Sequence, residues 1–248
     1  MNAIYVMWIR QLKRYSRSRA RIVGSLGQPL LFLLGLGFGF GSIYQRAGQG
    51  NYIQFLAPGV IAMTVLFTAI FSGIELIWDR QFGFLKETLV APVPRILIMI
   101  GRTLGGATVA VMQGLIVVVI CLAAGFRVRD FSMLPMMLGY MVLTAILFTA
   151  FGTAVASLLS DFQGFQLVMN FMIMPMFFLS GALFPLTNVP KLLEIIATVN
   201  PLSYGVDGLR LALIGVAHFG AALDLAVLSG VTVLLLFLGG YLFSKIQL

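Results

Sequence analysis

Long apolar runs with almost no charge at their centres recur along this chain, and they limit its fold more than any other feature of the sequence. They cover about residues 22–42, 56–77, 97–125, 133–158, 165–183 and 223–243. A hydrocarbon core of roughly 30 Å needs about 20 apolar residues per helical crossing. Inside a bilayer no water satisfies backbone N–H and C=O groups, so each run is expected to be a helix. Only 10% of the 248 residues are charged, against about 25% in an ordinary soluble domain, so too few charges remain to coat a globule. The expectation is an all-α membrane protein with six transmembrane helices, forming a single transmembrane domain over 1–248.

The net charge of +8 raises the question of nucleic acid, and the placement of the charges answers it. Arg10, Lys13, Arg14, Arg17, Arg19 and Arg21 all precede the first apolar run, and Arg80, Lys86, Arg95 and Arg102 flank the gap between the second and third. With Lys245 they make eleven basic residues on one side of a six-span topology, against Arg46, Arg127, Arg129, Lys191 and Arg210 on the other. Such asymmetry follows the positive-inside rule. It puts both termini and the 78–95 loop in the cytoplasm and leaves no basic patch for nucleic acid. The expected location is the cell (inner or plasma) membrane. The first run is too long for the h-region of a cleaved signal peptide.

Residues 1–21 are expected to form a cytoplasmic interfacial helix. Tyr5, Trp8, Leu12 and Tyr15 recur at spacings of three and four, while Arg10, Lys13, Arg14 and Arg17 lie elsewhere on the wheel. That pattern suits a helix lying among lipid headgroups, either as a plain anchor or also as a surface for a cytoplasmic partner; Trp8, Arg10 and Arg14 are its candidate residues. Spans one to five then occupy 22–183. Gly35/Gly39 and Gly37/Gly41 form two G-x-x-x-G pairs, which permit close helix approach. Pro175 falls inside the fifth span and is expected to kink it. Residues 184–218 are only half apolar and are broken by Pro185, Pro190 and Pro201. Two short helices fit there, about 189–198 and 202–216. They are expected to form an extracellular re-entrant helical hairpin between the fifth span and the sixth at 223–243, packed on protein because irregular backbone is tolerated at that depth only there or beside a wet cavity.

No catalytic set emerges. The only histidine is His218, expected near the outer surface, and the only cysteine is Cys121; multi-His metal sites and internal disulfides are excluded, and the place of His218 argues against a His-based triad. No Gly-x-x-x-x-Gly-Lys-Ser/Thr sequence is present, so no nucleotide-binding P-loop of this kind is encoded. The acidic residues are Glu75, Asp79, Glu87, Asp130, Asp161, Glu194, Asp207 and Asp224, nearly all at predicted helix ends or loops. Ion-coupled carriers generally keep ionisable residues near the bilayer midplane, and these spans lack them. The remaining expectation is a path for a greasy or amphipathic substrate with energy supplied from elsewhere. The alternatives are an ion-coupled secondary transporter using Glu75 or Asp161, and a non-transporting membrane scaffold.

Two stretches carry a family likeness. Phe178, Ser180, Gly181, Phe184 and Pro185, then Val189 and Pro190, then Asn200, Pro201, Ser203, Tyr204, Asp207 and Arg210 resemble the C-terminal signature of ABC-2-type transporter permeases, of the daunorubicin-resistance and nodulation-type export branch. Trp78, Asp79, Arg80, Phe82, Gly83, Phe84, Lys86, Glu87, Pro92 and Arg95 resemble that family's cytoplasmic loop, with Phe84 where Thr is usual and Lys86 before Glu87. The resemblance implies a type V ABC exporter fold and a half-transporter that pairs with a second permease, as homodimer or heterodimer, and with a separate ATP-hydrolysing subunit. ATP and Mg would then belong to that partner, with no cofactor in this chain. The 78–95 loop would be the element that docks on the ATPase, with Phe82 and Phe84 as knobs and Arg80, Lys86 and Glu87 setting register; a plain solvated loop is the other reading. Phe184, Pro185, Pro190, Pro201, Tyr204, Asp207 and Arg210 would form an outer gate. Asp207 and Arg210, three apart, suit an ion pair that serves either as helix stabiliser or as gate. Met169, Met172 and Phe177 suit an adaptable substrate path or ordinary packing.

Overall fold

The computed structural model describes residues 2–46, 51–90, 93–187 and 189–245. Pro92 and the side chain of Arg21, used above, lie outside the described residues. The helices are α1 (Asn2–Arg17), α2 (Arg19–Gly39), α3 (Gly41–Arg46), α4 (Tyr52–Phe71), α5 (Ile74–Gln81), α6 (Phe84–Val90), α7 (Arg95–Ala123), α8 (Leu134–Leu158), α9 (Phe162–Phe178), α10 (Lys191–Val199), α11 (Pro201–Ile214) and α12 (Ala221–Ser244). A 3-10 turn over Phe131–Met133 leads into α8, and no strand occurs among the described residues.

Among the described residues five segments are long and apolar enough to cross a membrane: Ile22–Gly39, Tyr52–Gln81, Arg95–Ala123, Phe131–Leu158 and Ala221–Ser244. The run expected at 165–183 instead gives α9, an apolar helix of 17 residues, short of the roughly 20 that a perpendicular crossing needs. Its start is set by Asp161, whose carboxylate accepts from the Gly164 N–H at 2.9 Å, the usual N-cap arrangement. It ends at Phe178, and Gly181, at φ +75°, turns the chain away. The second run also differs from a single 56–77 helix: α4 starts at Tyr52, breaks at Ser72–Gly73 and continues as α5 to Gln81.

The core is built around α4, which packs against α2, α7, α8 and α11. Nearly every α4 side chain from Leu56 to Leu66 is fully buried. A helix that is apolar and enclosed all round is the centre of a bundle. Helix α11 is almost as enclosed, with Leu202 through Arg210 all buried, whereas α10 exposes Leu192, Ile195 and Val199.

Helix α1 packs on the bundle through Met7, Gln11 and Tyr15, which are buried, while Tyr5, on the face expected among headgroups, is exposed. The cause lies on α7. A Cβ at Gly101 would stand 2.8 Å from the Ile4 carbonyl oxygen, and one at Gly105 would stand 2.6 Å from the Gln11 Cβ. Two glycines one turn apart let α1 lie directly on α7, and the Trp8 indole N–H donates to Thr108 Oγ1 at 3.0 Å. Of the four glycines in the two G-x-x-x-G pairs, only Gly37 packs closely among the described residues, where an added Cβ would stand 3.2 Å from Ile53; a Cβ at Gly35, Gly39 or Gly41 would meet nothing within 4 Å.

Candidate functional site

The 78–95 segment folds as an elbow. Helix α5 continues from α4, Gly83 takes φ +81°, and α6 returns over Phe84–Val90. Only glycine enters that left-handed region without strain. Leu85 is fully buried and pins the elbow to the bundle, while Phe82 is 74% exposed, Phe84 53% and Trp78 38%. Lys86 and Glu87 are also exposed. Large aromatics held outward on an anchored turn form the kind of knob that fills a partner's pocket.

Beneath the elbow lies an ion cluster. Asp79 and Glu75, both on α5, are buried. Arg10 on α1 donates to Asp79 at 2.9 Å, and Arg14 to the same oxygen at 3.4 Å. Arg14 also lies 3.8 Å from Glu75, and Arg102 on α7, itself buried, donates to the other Asp79 oxygen. The same arginines sit on the elbow's rings: Arg10 is 5.7 Å from the centre of Phe84, and Arg14 is 5.7 Å from that of Trp78, within cation–π range. Trp78 in turn stacks on Phe162 at 6.2 Å. Helices α1 and α7 are thereby tied to the elbow by three cations and two anions. A buried carboxylate is costly unless it is paired and hydrogen-bonded.

Several sequence-based roles change as a result. Asp79 faces inward as the hub of the cluster, not outward with the aromatics. Arg80 donates to the Leu159 carbonyl at 3.2 Å, at the end of α8, where a cation satisfies an orphan carbonyl. Arg10 and Arg14 turn to α5 because two carboxylates are within reach. Glu75 was expected only as the ionisable group of the carrier alternative, and Arg102 was not among the expected site residues. A signal for the first existed: Glu75 and Asp79 are four apart on α5, and Arg10 and Arg14 are four apart on α1, so each helix presents a matching pair on one face. Nothing local marks Arg102, which only folding brings to Asp79.

The expected outer-gate residues separate into two groups. Pro190 precedes α10 and Pro201 is the first residue of α11, a position where its missing N–H costs nothing; Phe184 and Pro185 lie half-buried in the turn after α9. Tyr204, Asp207 and Arg210 are buried latches. Tyr204 Oη donates to the Thr198 carbonyl at 2.7 Å. The expected Asp207–Arg210 ion pair does not form. Asp207 accepts from the backbone N–H groups of His218 and Phe219 at 2.8 Å each, while Arg210 donates to the Gly181 carbonyl at 2.9 Å and covers the Phe55 ring at 4.2 Å. Orphan backbone groups at two chain reversals outcompete a neighbour on the same helix. In α9, Met169 and Phe177 are buried with Phe165 and Ile173, so both pack the core, and Met172 is partly covered. Among the described residues no three His, Cys, Asp or Glu side chains gather in a metal-binding group.

Comparison with known proteins places this architecture. The profile of the ABC-2 type transporter family matches residues 2–214. The chain belongs to that family. It is 30% identical to nodulation protein J of Rhizobium leguminosarum bv. trifolii over 214 residues, covering 84% of this chain and 80% of the relative. It is 28% identical to the inner membrane transport permease YadH of Escherichia coli K12 over 217 residues, covering 86% and 84%. A putative transport permease, ycf38 of Cyanophora paradoxa, is 29% identical over 214 residues, covering 84% and 72%. As an ABC-2 family member with five apolar helices of spanning length, the chain is a multi-pass membrane transport permease. The matched region takes in α1, the elbow and α11, so the ion cluster and the aromatic knobs lie inside the family domain.

Proposed function

We propose that this ABC-2 permease is the membrane subunit of an ATP-binding cassette exporter that moves a hydrophobic or amphipathic substrate outward, driven by a separate ATPase docked on the α5–α6 elbow. The observation that carries this is the elbow itself: aromatics held outward, Leu85 buried beneath them, and an ion cluster joining the elbow to α1 and α7. A push on Phe82 or Phe84 then has a stiff route into the bundle. ATP and Mg would be bound by the ATPase. In this reading the transmembrane domain is single and sits in the inner or plasma membrane. Helix α9 is the remaining crossing, tilted or locally thinning the bilayer, as short spans do. Both termini are cytoplasmic, and α10–α11 form a re-entrant hairpin in the outer leaflet. Exposed apolar faces on α2 (Leu31, Phe38) and α9 (Leu167, Phe171) are where a second permease subunit would meet this one. The carrier alternative loses support because Glu75 is engaged with Arg14 and Asp161 caps α9.

The test is copurification. The Phe82→Ala/Phe84→Ala double variant is expected to keep its thermal stability in detergent and lose the ATPase subunit. Undiminished association would remove the elbow from the mechanism.

A further inference from the structure

The outward face of α1 and the elbow enclose an open groove of about 880 Å³. Val6, Arg10, Lys13 and Arg17, spaced four, three and four apart, share one face of α1 and line it. Arg14 adds a fourth cation, and Tyr5, Ile9 and Phe84 complete an apolar flank. Asp79 is the one carboxylate in the lining, and it is buried and already held by three arginines. Lys13 and Arg17 are exposed and form no ion pair among the described residues. All eight acidic side chains of the chain lie among those residues, so no other carboxylate side chain neutralises the pair.

The cations are of two kinds. Arg10 and Arg14 are fixed: Asp79 holds an edge of each, and the Phe84 and Trp78 rings lie 5.7 Å from them. Each side chain nevertheless stays 34% exposed. A guanidinium carries five N–H donors, so both keep donors for a second anion. Their rotamers are set before a ligand arrives, which removes that ordering cost from binding. Lys13 and Arg17 are free to close on the same anion. Three arginines against two carboxylates leave one positive charge beneath the elbow, and Lys13 and Arg17 add two more. This excess lies beside lipid. Helix α1 rests on Gly101, Gly105 and Thr108, inside the spanning segment Arg95–Ala123 rather than beyond its end. Unpaired cations beside a low-dielectric phase are costly until an anion meets them.

We propose that this groove binds the head of an anionic phospholipid. Lys13 and Arg17 meet its phosphate together with the free edges of Arg10 and Arg14, in the charge-assisted contacts that guanidinium and phosphate favour. The first acyl carbons lie along Ile9 and along Tyr5 and Val6, which are 59% and 58% exposed. The positive excess selects a net-negative head over a zwitterionic one, whose own cation it repels. A soluble phosphate would leave the apolar flank uncovered, and an acidic protein would have to reach α1 at the level of a spanning segment. The proposal requires that the chain spans a bilayer, not that an ATPase docks on the elbow.

The experiment uses the full chain in phosphatidylcholine nanodiscs with a phosphatidylglycerol probe that carries a diazirine near the head of one acyl chain. Saturable labelling of Asn2–Arg17 is expected, competed by unlabelled phosphatidylglycerol. A phosphatidylcholine probe with the same chain should label about tenfold less. Lys13→Gln/Arg17→Gln should weaken labelling roughly ten- to thirtyfold, the scale of two cations beside an anionic lipid, while Lys13→Arg/Arg17→Lys keeps it. Arg19→Gln/Lys245→Gln removes the same charge from exposed positions outside the groove lining and should leave labelling unchanged. Equal labelling by the two probes, an equal loss in the Arg19/Lys245 variant, or full competition by soluble glycerol 3-phosphate would overturn the assignment. So would displacement of the probe by added ATPase subunit, which would give the face to a protein partner. Labelling is read first without the ATPase, so this site and the docking of the elbow fail separately.

Discussion

Asp79 shows how one side chain changes meaning between sequence and structure. Among charged neighbours in an apparent loop it suggests an exposed contact; folded, it holds Arg10, Arg14 and Arg102. Removing one partner of a buried ion pair typically costs about 3–5 kcal/mol, because the other charge is left stranded. Arg102→Met is therefore expected to lower the thermal midpoint strongly, and Arg102→Met combined with Asp79→Leu to recover part of the loss, as read by melting in detergent. Asp224 is the opposite case. It is fully buried in the first turn of α12, and neither carboxylate oxygen has a hydrogen-bond partner among the described residues. Asp224→Asn removes a buried carboxyl that has no hydrogen-bond partner among the described residues and with it the cost of ionising it there, and is expected to hold or raise the melting midpoint; a clear drop would show that the carboxyl is needed.

At the scale of elements, the contact of α1 with α7 depends on absent side chains. Overpacking a tight contact costs about 1–3 kcal/mol, and a leucine at Gly105 would drive into Gln11. Gly105→Leu is expected to free α1, seen as faster amide exchange over Asn2–Arg17 with the α4 core unchanged. Because Arg10 and Arg14 ride on α1, the same variant should loosen the elbow and raise exchange over α5 and α6. The lengths of α10 and α11 were visible in the sequence, since Pro190 and Pro201 mark their starts within two residues of the expected positions. The shortened α9 was not: apolar residues continue to 183, and only the packing of the Gly181 turn shows where the helix stops.

For the whole molecule, orientation and assembly remain the decisive properties, and both are open to chemical labelling. In a Cys121→Ala background, Lys86→Cys is expected to react with a membrane-impermeant maleimide only in inside-out vesicles, and Lys191→Cys only in right-side-out ones. The reverse pattern would invert the topology. A cysteine at Phe38, on the exposed face of α2, is expected to crosslink to a second permease subunit, whereas one at buried Leu33 is not.

The class of the molecule was set by its sequence alone: apolar runs of bilayer length force helices, and the charges between them bias which ends stay on the basic side, since both effects depend on residues in order along the chain. Which face of α1 packs, where Asp79 points, and why Asp207 and Arg210 take separate backbone partners were decided by tertiary structure. Each depends on the nearest available partner in space, and for a buried polar group that partner is chosen by the cost of going without one.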